Sequence, residues 1–120
     1  MKLKRSVFLF CSVMMSLAHA EVLTQTDYDQ QIQHHMQIIQ QTKAVLDEPN
    51  SKADANQQSQ AFCDRLNAYE QIAKLSKDNA NLEMASIMLM ASQSFLDKQK
   101  ARLGGSGMTA EVFCAGKIKQ

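Results

Sequence analysis

The chain has 120 residues, 45% hydrophobic and 21% charged, with a formal net charge of +1. That length supports about one domain with one modest core. Three of the cations lie before residue 20, and beyond it ten Lys and Arg face twelve Asp and Glu, a formal charge of −2. A domain so balanced lacks the clustered basic face that nucleic acid or an anionic membrane surface requires.

The first segment is Lys2, Lys4 and Arg5, then an apolar run over residues 7–17, then Ala18-His19-Ala20. A positive head, a greasy middle and a small-residue cut site have the order of a secretory signal. The run is too short for a bilayer span, which takes about 20 apolar residues. Cys11 follows Phe8-Leu9-Phe10 in mid-run, where bulky side chains argue against a lipidated cysteine. The expectation is cleavage after Ala20, no stable membrane anchor afterwards, and a single domain over residues 21–120 in the periplasm or secreted.

Downstream, β-branched residues are sparse and Ala, Leu, Met, Gln, Lys and Glu dominate, so the domain is predicted to be all-α. Over residues 26–47, Tyr28, Ile32, Ile39 and Leu46 recur at helical spacing with His35 and Met36 between them. Asp27 and Asp29 suit the positive end of the helix dipole, and Pro49 ends the segment. The seven glutamines of residues 25–41 give this helix an uncharged soluble face.

A second helix is predicted over residues 51–77, with a stripe of Ala55, Phe62, Leu66, Tyr69, Ile72, Ala73 and Leu75 and a polar first part over residues 53–60 that is open to fraying. Asp78-Asn79-Ala80-Asn81 supplies turn and capping residues. A third helix is predicted over residues 81–103. Its middle, Met84-Ala85-Ser86-Ile87-Met88-Leu89-Met90-Ala91, is apolar nearly all round and must be covered on more than one side. Cations near its end and Gly104-Gly105 close it. After the glycine-rich hinge, Thr109 is placed to cap a last helix of about two turns carrying Val112, Phe113 and Cys114. So short a helix is marginal alone.

Without the leader only Cys63 and Cys114 remain, and an even count in an oxidising compartment predicts one disulfide. Closing a loop of about 50 residues is worth roughly 4 kcal/mol by chain entropy. The bridge would pin the last helix against the second, and the fold expected is a small bundle of three long helices plus a short one, stapled by Cys63 and Cys114.

The chemistry-bearing residues are few. His34 and His35 point about 100° apart on a helix, so sharing one metal ion is awkward, and a surface His34 with a half-buried His35 is the simpler expectation. Met84 and Met88 stand at i and i+4, and thioethers suit Cu(I), but methionines on apolar helices are ordinarily core or adaptable contact surface. Covalent haem is excluded by the absence of Cys-x-x-Cys-His, and a non-covalent haem would draw on His35 and a methionine of the third helix. No nucleophile elbow, phosphate loop or zinc-protease motif occurs, and four short helices leave little room for a ligand pocket, so neither an enzyme nor a cofactor is expected.

Two functional readings follow. The first is an exported, non-catalytic interaction module that presents Met84, Ile87, Met88 and Met90 to a protein partner or to its own copy. In overall plan, though in no motif, such a chain is similar to small exported acid-activated chaperones, which implies a stress-protective variant of this reading. The second is a small-ligand or metal carrier, for copper or haem, using Met84, Met88 and His35.

Overall fold

The computed structural model describes residue 20 and residues 22–118, and it is all-helical there. The expected leader and its cut site at Ala20 and Glu21 fall almost wholly outside the described residues. Three long helices, α1 (Gln25–Leu46), α2 (Ala55–Asp78) and α3 (Ala85–Gly104), are followed by the single turn α4 (Ala110–Phe113). Both α1 and α3 pack along α2, which is therefore the central helix.

Local chemistry accounts for the helix starts. Thr24 caps α1 by accepting from the Asp27 amide, and Thr109 caps α4 by accepting from the Val112 amide. At α2, Asp54 accepts from the Gln57 amide while the Gln57 side chain accepts from the Asp54 amide, a reciprocal capping box. Such a box satisfies two amides that otherwise lack partners, and it anchors the polar first turns of α2 where fraying was the expectation. The last helix is shorter than the two turns expected, because Cys114 already has non-helical backbone and Gly116 a left-handed one.

The core is three clusters strung along α2. At one end Tyr28, Leu75 and Ala85 pack with Leu23, Ile32 and Leu82. Ile39, Ala68 and Ile72 form the middle, joined by Ile38, Tyr69 and Met88. Cys63, Leu66 and Cys114 form the far end with Phe62, Phe95, Leu96, Ala110 and Phe113. The predicted stripe is largely the buried face, with one departure: Ala55, in the first turn of α2, is exposed.

The Cys63 and Cys114 sulfurs are bonded, with Cα atoms 5.6 Å apart across a sequence separation of 51. The bridge is the centre of the far cluster, Cys63 being 0% and Cys114 3% exposed. Around it, Phe62 and Phe113 meet edge to face, and the Gln60 amide donates to the Lys117 carbonyl at 2.6 Å. Tyr69 of α2 stacks on Phe95 of α3 with centroids 4.0 Å apart. On the opposite flank, Arg65 donates to both carboxylate oxygens of Asp47 and to the Thr42 hydroxyl, fastening the end of α1 to α2. The bridge is compatible with an oxidising compartment. No helix among the described residues is long and apolar enough to cross a membrane.

Candidate interaction surface

The methionine-rich stretch does not behave as one unit. Its inward stripe is Ala85, Met88, Ser92 and Phe95, spaced three and four residues apart and turned toward α2. Ala85 is fully buried and Ser92 is 1% exposed, its hydroxyl donating back to the Met88 carbonyl at 2.6 Å. Met88 packs on the Ile39, Ala68 and Ile72 cluster. Small residues at Ala85 and Ser92 let α3 approach α2 closely, and Met88 fills the space between them.

The outward side carries Met84, Ile87 and Met90, which are 56%, 59% and 69% exposed. Of the four residues assigned from sequence to a contact surface, the structure thus leaves three facing solvent and packs a partly buried Met88 against the core. The apolar surplus of residues 84–91 is covered on one side by α2 and uncovered on the other.

The start of α3 differs from the expected residue 81. Residues 79–84 form a corner, and α3 begins at Ala85. Asn79, 2% exposed, ends α2 and donates its side-chain amide to the Leu75 carbonyl. Its side-chain oxygen accepts from the Leu23 amide at 2.8 Å. The Gln25 side chain accepts from the Glu83 amide and donates to the Glu83 carbonyl. Nearby, the Tyr28 and Ser76 hydroxyls share a buried hydrogen bond of 2.7 Å. The segment ahead of α1 and its first turn therefore hold the corner, through pairs separated by 48 to 58 residues in sequence.

Met84 closes that corner with φ of 67°, the one non-glycine residue with positive φ among those described. For an L residue this left-handed backbone costs on the order of 1–2 kcal/mol, and it is ordinarily given to Gly or Asn. Met84 makes no side-chain cap bond to its helix. The strained residue therefore carries an apolar side chain that is 56% exposed.

Of the carrier residues, Met88 packs on the middle cluster while Met84 is exposed. His35 on α1 is half-buried with Nδ1 unpartnered, and His34 beside it is exposed, their rings 5.2 Å apart. Burial, and secondarily the charge of His34, hold the His35 pKa below its ordinary value, which favours the neutral ring. Among the described residues no three His, Cys, Asp or Glu side chains gather so as to hold a metal ion.

The expectation of little room for a pocket is not met. A shallow groove of about 600 Å³ runs between the end of α1 and the start of α2, past Val45, Ser51 and Gln57. A more enclosed cleft of about 300 Å³ lies where the Met108–Glu111 stretch folds back over α2 and α3. Neither was legible locally, since each is made by segments that meet only through the disulfide or the packing of helices.

Compared with known protein families, with curated proteins and with solved structures, the chain finds no match.

Proposed function

We propose that this protein is an exported, non-catalytic interaction module whose contact surface is the outer side of α3, centred on Met84, Ile87 and Met90. The observation that carries the reading is Met84 itself: an apolar side chain 56% exposed and held on a strained left-handed backbone. Strained backbone tends to collect at functional positions, and here the strain of the corner falls on an exposed apolar side chain. Flexible, polarisable methionine is suited to a contact surface that must adapt to its partner. The occupant is a protein partner or a second copy of the chain. Export to the periplasm or the medium rests on the leader pattern and is supported by the buried disulfide.

The test replaces Met84, Ile87 and Met90 together with Gln, which keeps helix-forming character while removing the apolar side chains. Wild-type protein is expected to form a complex, with its own copy or with a protein of the native envelope, that light scattering and chemical cross-linking detect. The variant is expected to keep its helical signal and lose that complex. Retention of the complex by a folded variant overturns the assignment. For the stress-protective form of the reading, binding of an apolar-surface dye should rise between about pH 2 and 4, the range in which carboxylates become protonated. The carrier reading predicts instead a stoichiometric absorbance or thermal shift with Cu(I) or haem that is lost in His35→Ala.

A further inference from the structure

The cleft at the disulfide end of the molecule has a chemistry that the contact surface on α3 does not use. Its floor is apolar: Leu66 of α2, Leu96 and Leu103 of α3, and Met108 of the returning segment. Its rim is charged and unbalanced, with Glu70 from α2, Asp97 and Lys100 from α3, and Glu111 from α4. The formal sum of that rim is −2. None of these four side chains is in an ion pair among the described residues, where the pairs are Arg65 with Asp47 and Lys74 with Asp78.

The volume of about 300 Å³ is at the lower end of the range for small-ligand sites. The cleft is also supported from behind. Leu66 and Leu96 belong to the cluster built on the Cys63–Cys114 bridge, and Ala110, which lines the cleft, packs on the same cluster. The wall carrying Glu111 is thus tied covalently, through Cys114, to the helix carrying Glu70. Two carboxylates from different helices, Glu70 and Glu111, line one cleft over an apolar floor, with a single ammonium, Lys100, on a rim that also carries Asp97.

We propose that this cleft binds a small alkylammonium ion, its aliphatic chain on Leu66, Leu96, Leu103 and Met108 and its cationic head between Glu70 and Glu111. An apolar floor recognises the chain by burial, and the two carboxylates supply the complementary charge. The same juxtaposition leaves a trace in the unliganded protein. Burial, and then the charge of Glu111, raise the Glu70 carboxyl above its ordinary pKa, as happens when like charge is left uncompensated. A cation seated there removes the repulsion. An alkyl carboxylate of the same length adds to it.

The experiment is a titration followed by amide chemical shifts, on the oxidised protein recovered after export with its own leader. Hexylammonium is expected to give saturable one-to-one shifts confined to residues 66–70, 96–104 and 108–111. Affinity should rise by roughly fourfold for each methylene that becomes buried between ethylammonium and hexylammonium. Hexanoate, at matched ionic strength, should not saturate. Glu70→Gln and Glu111→Gln, two exposed and nearly isosteric changes on different helices, should each weaken hexylammonium by at least about threefold while leaving the spectrum of the free protein otherwise intact. Acidification should weaken it too, as Glu70, facing Glu111, Asp97 and Lys100, becomes neutral. Equal binding of hexanoate, shifts scattered outside the cleft, or undiminished affinity in both Gln variants would each overturn the proposal. None of these outcomes depends on what α3 binds.

Discussion

The two ends of the α2 and α3 pair are closed by opposite means. At the Cys63–Cys114 end the returning chain is held by a covalent bridge, an edge-to-face pair of Phe62 and Phe113, and a buried apolar cluster. At the corner of residues 79–84 there is no covalent tie, and the turn is held by the Leu23 and Glu83 amides donating to the Asn79 and Gln25 side chains, beside the Tyr28–Ser76 bond and the Tyr28, Leu75 and Ala85 cluster. The first closure hides its apolar residues, while the second displays Met84. The difference teaches that both ends have a buried cluster, but only the stapled end is tied covalently, and only the corner sets an exposed apolar side chain on strained backbone.

Breaking the stapled end should have the largest effect. Replacing Cys63 and Cys114 together with Ser is expected to cost roughly 4 kcal/mol in chemical denaturation, the chain-entropy worth of the loop. Because α4 is only four residues long, it should undock first, seen as loss of exchange protection around Cys114 before that of Ile72. Loss of the bridge without change in stability would contradict its role as the staple.

At the corner the expected loss is smaller. Asn79→Ala removes the acceptor of the part-buried Leu23 amide, at a cost of about 1–3 kcal/mol, while the Leu75 carbonyl keeps the backbone amide of residue 79. Exchange protection at Leu23 should fall at the same time.

That corner also marks where the sequence stops being readable. The helical class, the three long helices, the Thr109 cap and the cysteine pairing all follow from local periodicity, capping chemistry and cysteine count. The start of α3 does not, because residues 81–84 have helical composition and are pulled out of the helix by partners more than 50 positions away. For the same reason Met84 and Met88 look equivalent in sequence, four residues apart, yet one is solvent-facing and the other packs against the core. The inward stripe of Ala85, Ser92 and Phe95 could have divided them, since small residues at seven-residue spacing mark a close helix approach. The cleft was hidden more completely: Glu70 and Glu111 are far apart in the chain, and the fold around the disulfide brings them to one cleft.

Met84→Gly sharpens the comparison by separating strain from contact. It should stabilise the isolated protein by about 1 kcal/mol, because glycine adopts the left-handed backbone without penalty. Complex formation through α3 should weaken in the same variant. A destabilised Gly variant would show that the Met84 side chain supports the fold after all.

The smallest effects are those of pH. The Glu70 carboxyl is raised in the fold, so its destabilising charge is absent below about pH 4.5, sets in as pH rises through its folded value, and persists above it. Glu70→Gln should match wild type in acid and exceed it at neutral pH. Asp47 runs the other way: hydrogen bonds from Arg65 lower its pKa, so its stabilisation is present above about pH 3.8 and fades as pH falls through the folded value. Asp47→Asn should be weaker than wild type at neutral pH and converge with it in strong acid. Both are read from denaturation midpoints across the pH range.

Methionine oxidation by dilute peroxide, read residue by residue by mass spectrometry, tests the contact surface most directly. In purified protein diluted until it is monomeric, Met84 and Met90 should oxidise fast and Met88 slowly, with Met36 and Met108, 41% and 38% exposed, as reactive references. In the native envelope fraction Met84 and Met90 should become protected while Met36 and Met108 stay reactive. Equal oxidation of Met84 and Met90 in both settings would contradict the assignment of α3 as the binding face.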